Sequence, residues 1–547
     1  MAFSELAPDW WPFSAGTAAI VTFITVYFVA YQLSSRKTDP REPPVIAPAI
    51  PLVGHLLGMA LLGGRYVKNL GIRNRQLPIF TLPVPGSRIY VVTDPSLAAA
   101  VQRASRILSF NPVVPDVVQR VLGLDAAAVD ITRKNLDPGP GPGAERGFLP
   151  DIQDMVSAWL GPGEYLGELS LDAAAEMKSE IAAFAASPSL GRGATDLLAW
   201  VRHLVTSSTA RYLYGPENPI ALEPALEGSF WDFDHGLGAL LVNIVPSVTA
   251  RRAYAGREKL SAALLAYLEA GRHISCGSKI VQKRVDIALA HGWATPAIAR
   301  EELSFLFAGI VNATTSTFWI LLHLYADPAL LATARREIES VLSARTAKPS
   351  YGLRVADLRD KCPVLVAVYR ECLRLGSDTY STRVVKEDHL LANQYFLKKN
   401  AVVQIAGGVI HADPRIWGAD VSDFNPRRFL DKTNSNSDAE ALNPEASSKP
   451  RQKQSNAFHP AAFRAFGGGK TLCPGRHFAM NEILVFVALV VLQFDMKPAR
   501  GGKIEVPPKN DGVLPVHILE PGRPVEVVIS KREDGFAQGG LDVEFAM

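Results

Sequence analysis

Of the four cysteines in this 547-residue chain, one has surroundings that a purely structural cysteine does not need. Cys473 closes the run Phe466-Gly467-Gly468-Gly469-Lys470-Thr471-Leu472-Cys473-Pro474-Gly475, with the spacing F-x-x-G-x-x-x-C-x-G. A long apolar stretch follows from Arg476 to Phe494 and reads as a buried helix, so the thiol sits one short turn ahead of a helix N-terminus. Free N–H groups and the positive end of the helix dipole stabilise a thiolate there and lower the thiol's pKa. A thiolate is a soft metal ligand. The three glycines let the backbone run flat against a planar group where side chains would collide, and Phe466 can cover the sulfur. The alternative is a buried cysteine in a Gly-rich turn, but a free core cysteine requires no three-glycine approach.

Further charged groups stand upstream of this loop. Glu371 and Arg374 stand three apart, on one face of the helix expected over VLVAVYRECLRL. Most such pairs are solvated surface contacts, but this one lies among Val364, Leu365, Val368, Leu373 and Leu375, where an unpaired charge is costly. Farther along come Arg383 in STRVVKED, His411 in VIHADPRIWG, and the run Phe424-Asn425-Pro426-Arg427-Arg428-Phe429. In this order and spacing, the cysteine loop and these segments resemble the cytochrome P-450 family. The resemblance covers about Glu301 to Arg532, together with the apolar N-terminus and the proline-rich segment after it. It implies haem b as cofactor, with Cys473 as thiolate ligand to the iron and Phe466, Gly467 and Gly469 lining the haem. A thiolate on haem iron pushes electron density towards the opposite face and favours O–O cleavage. The resemblance further implies that Arg383 reaches a haem propionate and that Arg428 joins Glu371 and Arg374 in a structural cluster. The family's Trp-x-x-x-Arg pair, a second propionate contact, is missing: none of the eight tryptophans has an arginine four residues on.

A second departure lies in the apolar run Leu303–Tyr325, opened by Thr295-Pro296 as cap and first turn. Its length would suit a membrane span, but Asn312, Thr314, Thr315, Ser316 and Thr317 at its centre mark it as a core helix crossing the haem. Aligned on Ala308-Gly309, Val311 replaces the family's acid and Asn312 its threonine. With Phe318-Trp319, this resembles the branch holding sterol 7α- and 12α-hydroxylases and prostacyclin synthase. Asn312 and Thr315 are the catalytic candidates. Helix packing through an asparagine and neighbouring hydroxyls is the structural alternative.

The elements that must position these groups are mainly helical, from about Pro95 to Leu375, with small sheets at one side. A hairpin is expected over Pro78–Asp94 around Pro85-Gly86, with short strands around Ser381–Val403 and near Gly512–Ser530. The expected fold is therefore mainly α, the cytochrome P-450 fold, preceded by one transmembrane helix. The uncharged run Ala15–Leu33 spans about 28 Å as a helix, close to the thickness of a bilayer core. Glu5 and Asp9 precede it and Arg36, Lys37 and Arg41 follow, which places the C-terminal side in the cytosol and opposes a cleaved signal peptide. The expected division is an anchor over 1–39, a stiff proline-rich linker over 40–54, a catalytic domain over 55–532 and a flexible tail over 533–547. Segment 433–458 reads as a polar surface insertion.

With 48% hydrophobic and 20% charged residues the chain can build a large core, and a net charge of +3 without a basic block gives no support to nucleic-acid binding. Sparse cysteines without metal-finger spacing indicate a reducing compartment. The resemblance implies a monooxygenase in the endoplasmic reticulum membrane, acting on a lipophilic sterol, terpenoid, alkaloid or polyketide. NADPH-cytochrome reductase would dock on a basic face carrying Arg464, Lys470 and Arg476, with Lys449, Arg451 and Lys453 as possible additions. The wording of the cysteine loop also resembles enzymes of filamentous-fungal secondary metabolism. The alternatives are a reductase-independent isomerase or dehydratase of the prostacyclin-synthase kind, and a non-catalytic haem protein.

Overall fold

The Pro85-Gly86 pair turns the expected hairpin: Ile79–Val84 (β1) and Ser87–Val92 (β2) pair antiparallel, with Phe80 opposite Val91 and Gly86 at φ 71°. In this computed structural model the described residues are 21–22, 24–27, 39–138, 145–188, 190–344, 351–430, 458–533 and 543–547. The hairpin belongs to a five-stranded sheet completed by Leu108–Ser109 (β3), Tyr380–Val385 (β4) and Val402–Ala406 (β5), in the order β1-β2-β5-β4-β3. Strand β5 runs parallel to β2 and antiparallel to β4, so this one sheet ties the N-terminal hairpin to the segment that carries Arg383.

The proline-rich segment is docked on the sheet. Thr81 N–H donates to the Pro44 carbonyl at 2.8 Å, Ile46 N–H donates to the Thr81 carbonyl at 3.0 Å, and the Tyr90 hydroxyl donates to buried Glu42 at 2.8 Å. Prolines cannot complete a ladder, so single bonds from the residues between them do the anchoring. Helix α1 (Gly54–Leu62) follows, with Leu56, Leu57, Leu61 and Leu62 exposed. Of the expected anchor, only 21–22 and 24–27 fall among the described residues; these are helical, and Val21, Ile24, Val26 and Tyr27 are exposed.

Most of the rest is helical, with smaller sheets beside it. Helix α2 (Pro95–Arg103) is capped by the Asp94 carboxylate, which accepts from Ser96 and Leu97 N–H. Next come α3 (Leu197–Tyr214), α4 (Ala225–His235), α5 (Thr295–Ala326), α6 (Pro363–Gly376) and α7 (Arg476–Gln493). Helix α5 is 32 residues long, and it starts earlier than its apolar run. Thr295 is its first helical residue and does not cap it; Ala294 stands at the cap without a side-chain bond. The first half of α5 packs in a cluster with Leu213, Phe233 and Leu264, the second half in a cluster with α6 and α7. That double burial is why α5 is apolar all round. Among the described residues, α5 and α7 are long and apolar enough to cross a membrane, yet both are mostly buried core helices.

Two expectations change. Between 512 and 530 only Glu526–Lys531 is a strand, antiparallel to Phe494–Pro498; Pro515, Pro521 and Pro524 deny the preceding residues a ladder. The tail expected to be flexible over 533–547 ends in a strand, Val543–Ala546, parallel to Tyr351–Arg354 with Val543 buried. Residues 534–542, and nearly all of the insertion at 433–458, lie outside the described residues.

Candidate active site

The cysteine loop is closed by its own backbone. Cys473 N–H donates to the Phe466 carbonyl at 2.9 Å, Gly467 N–H to the Arg464 carbonyl at 3.0 Å and Leu472 N–H to the Gly469 carbonyl at 3.0 Å. Gly467 and Gly469 sit at φ 77° and 62°, where an L side chain is strained. Gly468 is extended, and space decides there: a Cβ would lie 2.0 Å from Gln102 Nε2 of α2 and 2.7 Å from Arg464 Nη1. Close packing of α2 on the loop therefore accounts for Gly468 and supports Gly469, whose Cβ would lie 2.9 Å from that of Gln102.

Burial pushes the Cys473 thiol up, against the N–H groups of Gly475 and Arg476 and the Arg476 charge, which pull it down. The expected lowered pKa is thus not a property of the loop by itself: the donors are in place, but desolvation outweighs them. A cation at the sulfur is what would make the thiolate stable.

Beneath the loop, the Glu371 carboxylate is fully buried and accepts four bonds. Arg374 donates through Nε and Nη2 at 2.8 Å each, Arg428 through Nε at 2.9 Å, and Asn425 through its backbone N–H at 3.0 Å. Arg374 also donates to the His411 carbonyl at 2.7 Å, and Arg428 to the carbonyls of Trp417 and Asp420. The His411 ring continues the chain of bonds: Nδ1 lies 3.0 Å from the Ser377 carbonyl and Nε2 accepts from Arg464 N–H at 2.8 Å. Burial pushes its pKa down to about 3, which keeps the ring neutral and able to accept at Nε2. The structure thus brings Glu371, Arg374, Arg428 and His411 together and runs their bonds into the start of the cysteine loop.

Sequence reasoning placed Arg464 on an exposed basic face; the structure buries it at 2% exposure. Its Nη2 donates to Ser381 Oγ at 3.0 Å and its Nε has no partner. Arg383 is also buried, and donates to Thr471 Oγ1 and to its neighbour's carbonyl. Neither guanidinium has a carboxylate within ion-pair distance among the described residues. Burial lowers the pKa of each to about 10, and for Arg464 the charge of Arg383 adds to the effect. Two buried cations beside the cysteine loop demand an anion. The signal for Arg464 was an arginine inside the otherwise apolar run Ala461–Phe466.

On α5, Asn312 is exposed on a helix most of whose neighbouring residues are buried, and Ala308 one turn earlier is exposed too. Asn312 Oδ1 accepts from Ile518 N–H at 3.0 Å. Val311 is buried. Thr315, expected beside Asn312 as a catalytic group, is fully buried, and its hydroxyl donates to the Val311 carbonyl at 3.2 Å. It is a back-bonded core threonine, because its position points between helices and away from the open face.

The family profile described as Cytochrome P450 matches residues 293–520. Cytochrome P450 monooxygenase nodJ of Hypoxylon pulicicidum is 32% identical over 529 residues, 94% of this chain and 95% of its own length. The chain belongs to the cytochrome P450 family. A cytochrome P450 monooxygenase of Gibberella zeae is 28% identical over 85% of this chain and 83% of its own. Cytochrome P450 7B1 of Mus musculus is 26% identical over 85% and 87%. The protein is accordingly a haem-thiolate oxidoreductase. Its residues fit that cofactor: the partnerless Nε of Arg464 and the unpaired charges of Arg383 and Arg464 suit the two carboxylates of a haem, beside a cysteine whose thiolate needs a cation.

Proposed function

We propose that this P450 is a membrane-bound monooxygenase in which Cys473 holds the haem iron and Arg383 and Arg464 hold the haem carboxylates. The observation that carries this reading is the buried arginine pair beside the cysteine loop, neither member of which has a carboxylate at ion-pair distance among the described residues. Bound haem supplies activation of O2. One oxygen atom enters the substrate and the other leaves as water, with two electrons and two protons consumed. Phe466 shields the sulfur from water, and Gly467 and Gly469 hold the loop in shape. The Glu371–Arg374–Arg428 cluster keeps that loop on its scaffold. Asn312 offers its amide to the distal cavity. It cannot pass a proton as a hydroxyl does, so proton delivery falls to water that it orients.

A lipophilic substrate and a membrane location draw support from one apolar surface. Leu61 and Leu62 of α1, Val513 and Leu514, and Val242, Ile244, Val245 and Val248 are all exposed. They are joined by the bond from Gly64 N–H to the Val513 carbonyl at 2.9 Å and by the approach of Gly238 to Leu514. Exposed apolar residues gathered in this way mark an interaction or membrane surface. With residues 1–39 as anchor, the domain 55–532 would lie with this surface on the cytosolic leaflet of the endoplasmic reticulum. The resemblance of the Asn312 segment and of the cysteine loop favours a sterol or a fungal secondary metabolite as substrate. Electrons would come from NADPH through a flavoprotein reductase docked near Lys470 and Arg476; Lys449, Arg451 and Lys453 lie outside the described residues.

The carbon monoxide difference spectrum of the reduced protein tests the reading. A strongly red-shifted Soret band lost in Cys473→Ser supports it, and a band typical of histidine-ligated haem overturns it. Val311 and Asn312, in place of an acid and a hydroxyl, favour one second reading, a peroxide rearrangement that needs no reductase. Turnover without NADPH would select it.

A further inference from the structure

Residues His517 to Glu520 run beside α5 at Asn312, and each is tied to a different partner. His517 Nε2 lies 3.2 Å from Asp234 Oδ1 on α4, and the His517 ring packs against Phe307 of α5 with centroids 6.5 Å apart. Ile518 N–H donates to Asn312 Oδ1 at 3.0 Å. Leu519 N–H donates to the Gly376 carbonyl at 3.0 Å, and its own carbonyl accepts from Trp319 Nε1 at 2.8 Å. Glu520 pairs with Arg202 of α3 and lies 3.4 Å from His235 Nε2.

The Asp234 side chain has no exposed surface, and neither of its oxygens has a hydrogen bond of good geometry. Among the described residues His517, when protonated, is the one cation at ion-pair distance from it. A dry carboxylate requires such a partner. The consequence reaches the cavity through one residue. The bond from Ile518 N–H can only end on the amide oxygen of Asn312, so the amide nitrogen is the end left for the open face. The segment thereby decides that Asn312 presents a donor and not an acceptor.

We infer that His517, paired with Asp234, is a positioning residue that holds the 517–520 segment and through it fixes the donor orientation of Asn312 in the distal cavity. The inference rests on the reading of that cavity as the haem pocket. The His517 ring meets Asp234 from α4, Phe307 from α5 and, at Nδ1, the Ile518 carbonyl at 2.8 Å, with Glu520 and its Arg202–His235 partners beyond them. Burial opposes the imidazolium, yet Asp234, the Ile518 carbonyl and then Glu520 hold its pKa above the ordinary histidine value. The clasp is therefore complete below the ordinary value and is lost as pH rises through the raised one.

Hydrogen exchange of the Ile518 amide, corrected for its intrinsic rate, tests the clasp without recourse to the haem. Protection in the wild-type holoenzyme should fall about tenfold between about pH 6 and about pH 9. Asp234→Asn should show the low value at both, and His235→Gln should keep the wild-type response. The second readout is the C–O stretch of the reduced carbon monoxide complex, which a distal donor lowers by drawing electron density onto the oxygen. Asn312→Leu, Asp234→Asn and His517→Gln should all raise its frequency. Protection at Ile518 that ignores pH overturns the inference, as does a band that moves in Asn312→Leu alone. A pH-dependent clasp in a protein that gives no thiolate–haem band would overturn the reading of the cavity and leave the clasp standing.

Discussion

Replacing Arg464 by methionine should have opposite effects on the haem-free and haem-bound protein, and the structure sets the size of each. The side chain is 2% exposed, faces Arg383 and has no carboxylate partner. The drop of its pKa from 12.5 to about 10 corresponds to roughly 3 kcal/mol lost by holding the charge in the empty fold. Methionine removes that cost, keeps the volume of the stem, and leaves the backbone bond from residue 464 N–H to His411 in place. It also removes the bond to Ser381 Oγ, worth about 1 kcal/mol. Haem-free Arg464→Met should therefore be more stable than wild type by about 2 kcal/mol in urea unfolding. The holoenzyme should lose haem at least about tenfold faster to a haem-scavenging globin, since a buried charge-assisted contact is typically worth 1.5 kcal/mol or more. A variant less stable without haem and unchanged in haem release would refute the claim that this arginine is held in reserve for an anion.

Two other perturbations test the scaffold. Glu371→Gln removes the one charge shared by Arg374 and Arg428, so Arg374 stays buried beside a neutral amide and Arg428 keeps only the partly exposed Asp420. A loss of about 3–5 kcal/mol is expected in urea unfolding of the holoenzyme, with lowered haem content, and a loss below about 1 kcal/mol would deny the cluster its role. Glu482 on α7 is buried and receives bonds from Tyr212 at 3.0 Å and Thr209 at 3.4 Å, and burial raises its pKa from 4.5 to about 8. A carboxyl with a raised folded pKa contributes stability below 4.5 that is lost as pH climbs to about 8. The urea midpoint should fall over that range in wild type and flatten in Glu482→Gln; equal slopes in the two proteins would place the pH dependence elsewhere.

What the sequence revealed, and what it hid, divides along the range of the interaction. The Glu371–Arg374 pair was legible because three residues on a helix is a contact by construction, and its apolar flanks declared it buried. The hairpin was legible because Pro-Gly between β-rich runs admits few other shapes. Arg464 was not, because the same arginine is ordinary on a surface and costly in a core, and only the packing of β4, α2 and the cysteine loop around it decides which. Thr315 misled for the complementary reason: a hydroxyl three residues from Asn312 looks available until the helix is rotated against its neighbours. The strand at 543–546 was missed because a four-residue ladder draws its stability from Tyr351–Arg354, nearly 200 residues earlier, and from nothing in its own composition.

The same division bears on how this P450 differs from the family pattern. Where the pattern expects a hydroxyl, Asn312 brings two functions at opposite ends of one planar group, and a free amide would present either. Its choice is made 206 residues downstream, by the N–H of Ile518. That N–H is fixed in turn by the bonds of Leu519 to Gly376 and Trp319 on one side and by His517 at Asp234 on the other. Asparagine in this position is therefore not a lone substitution on α5. It is one half of a pair whose other half is a backbone group in an irregular, proline-broken segment. A protein carrying Asn312→Thr should leave Ile518 N–H without its acceptor and gain no hydroxyl relay, since the shorter side chain cannot both reach that amide and face the cavity. Restored relay chemistry in the single variant would show that the segment is a bystander; its restoration only when 517–520 is changed as well would show that Asn312 and the segment act as one unit.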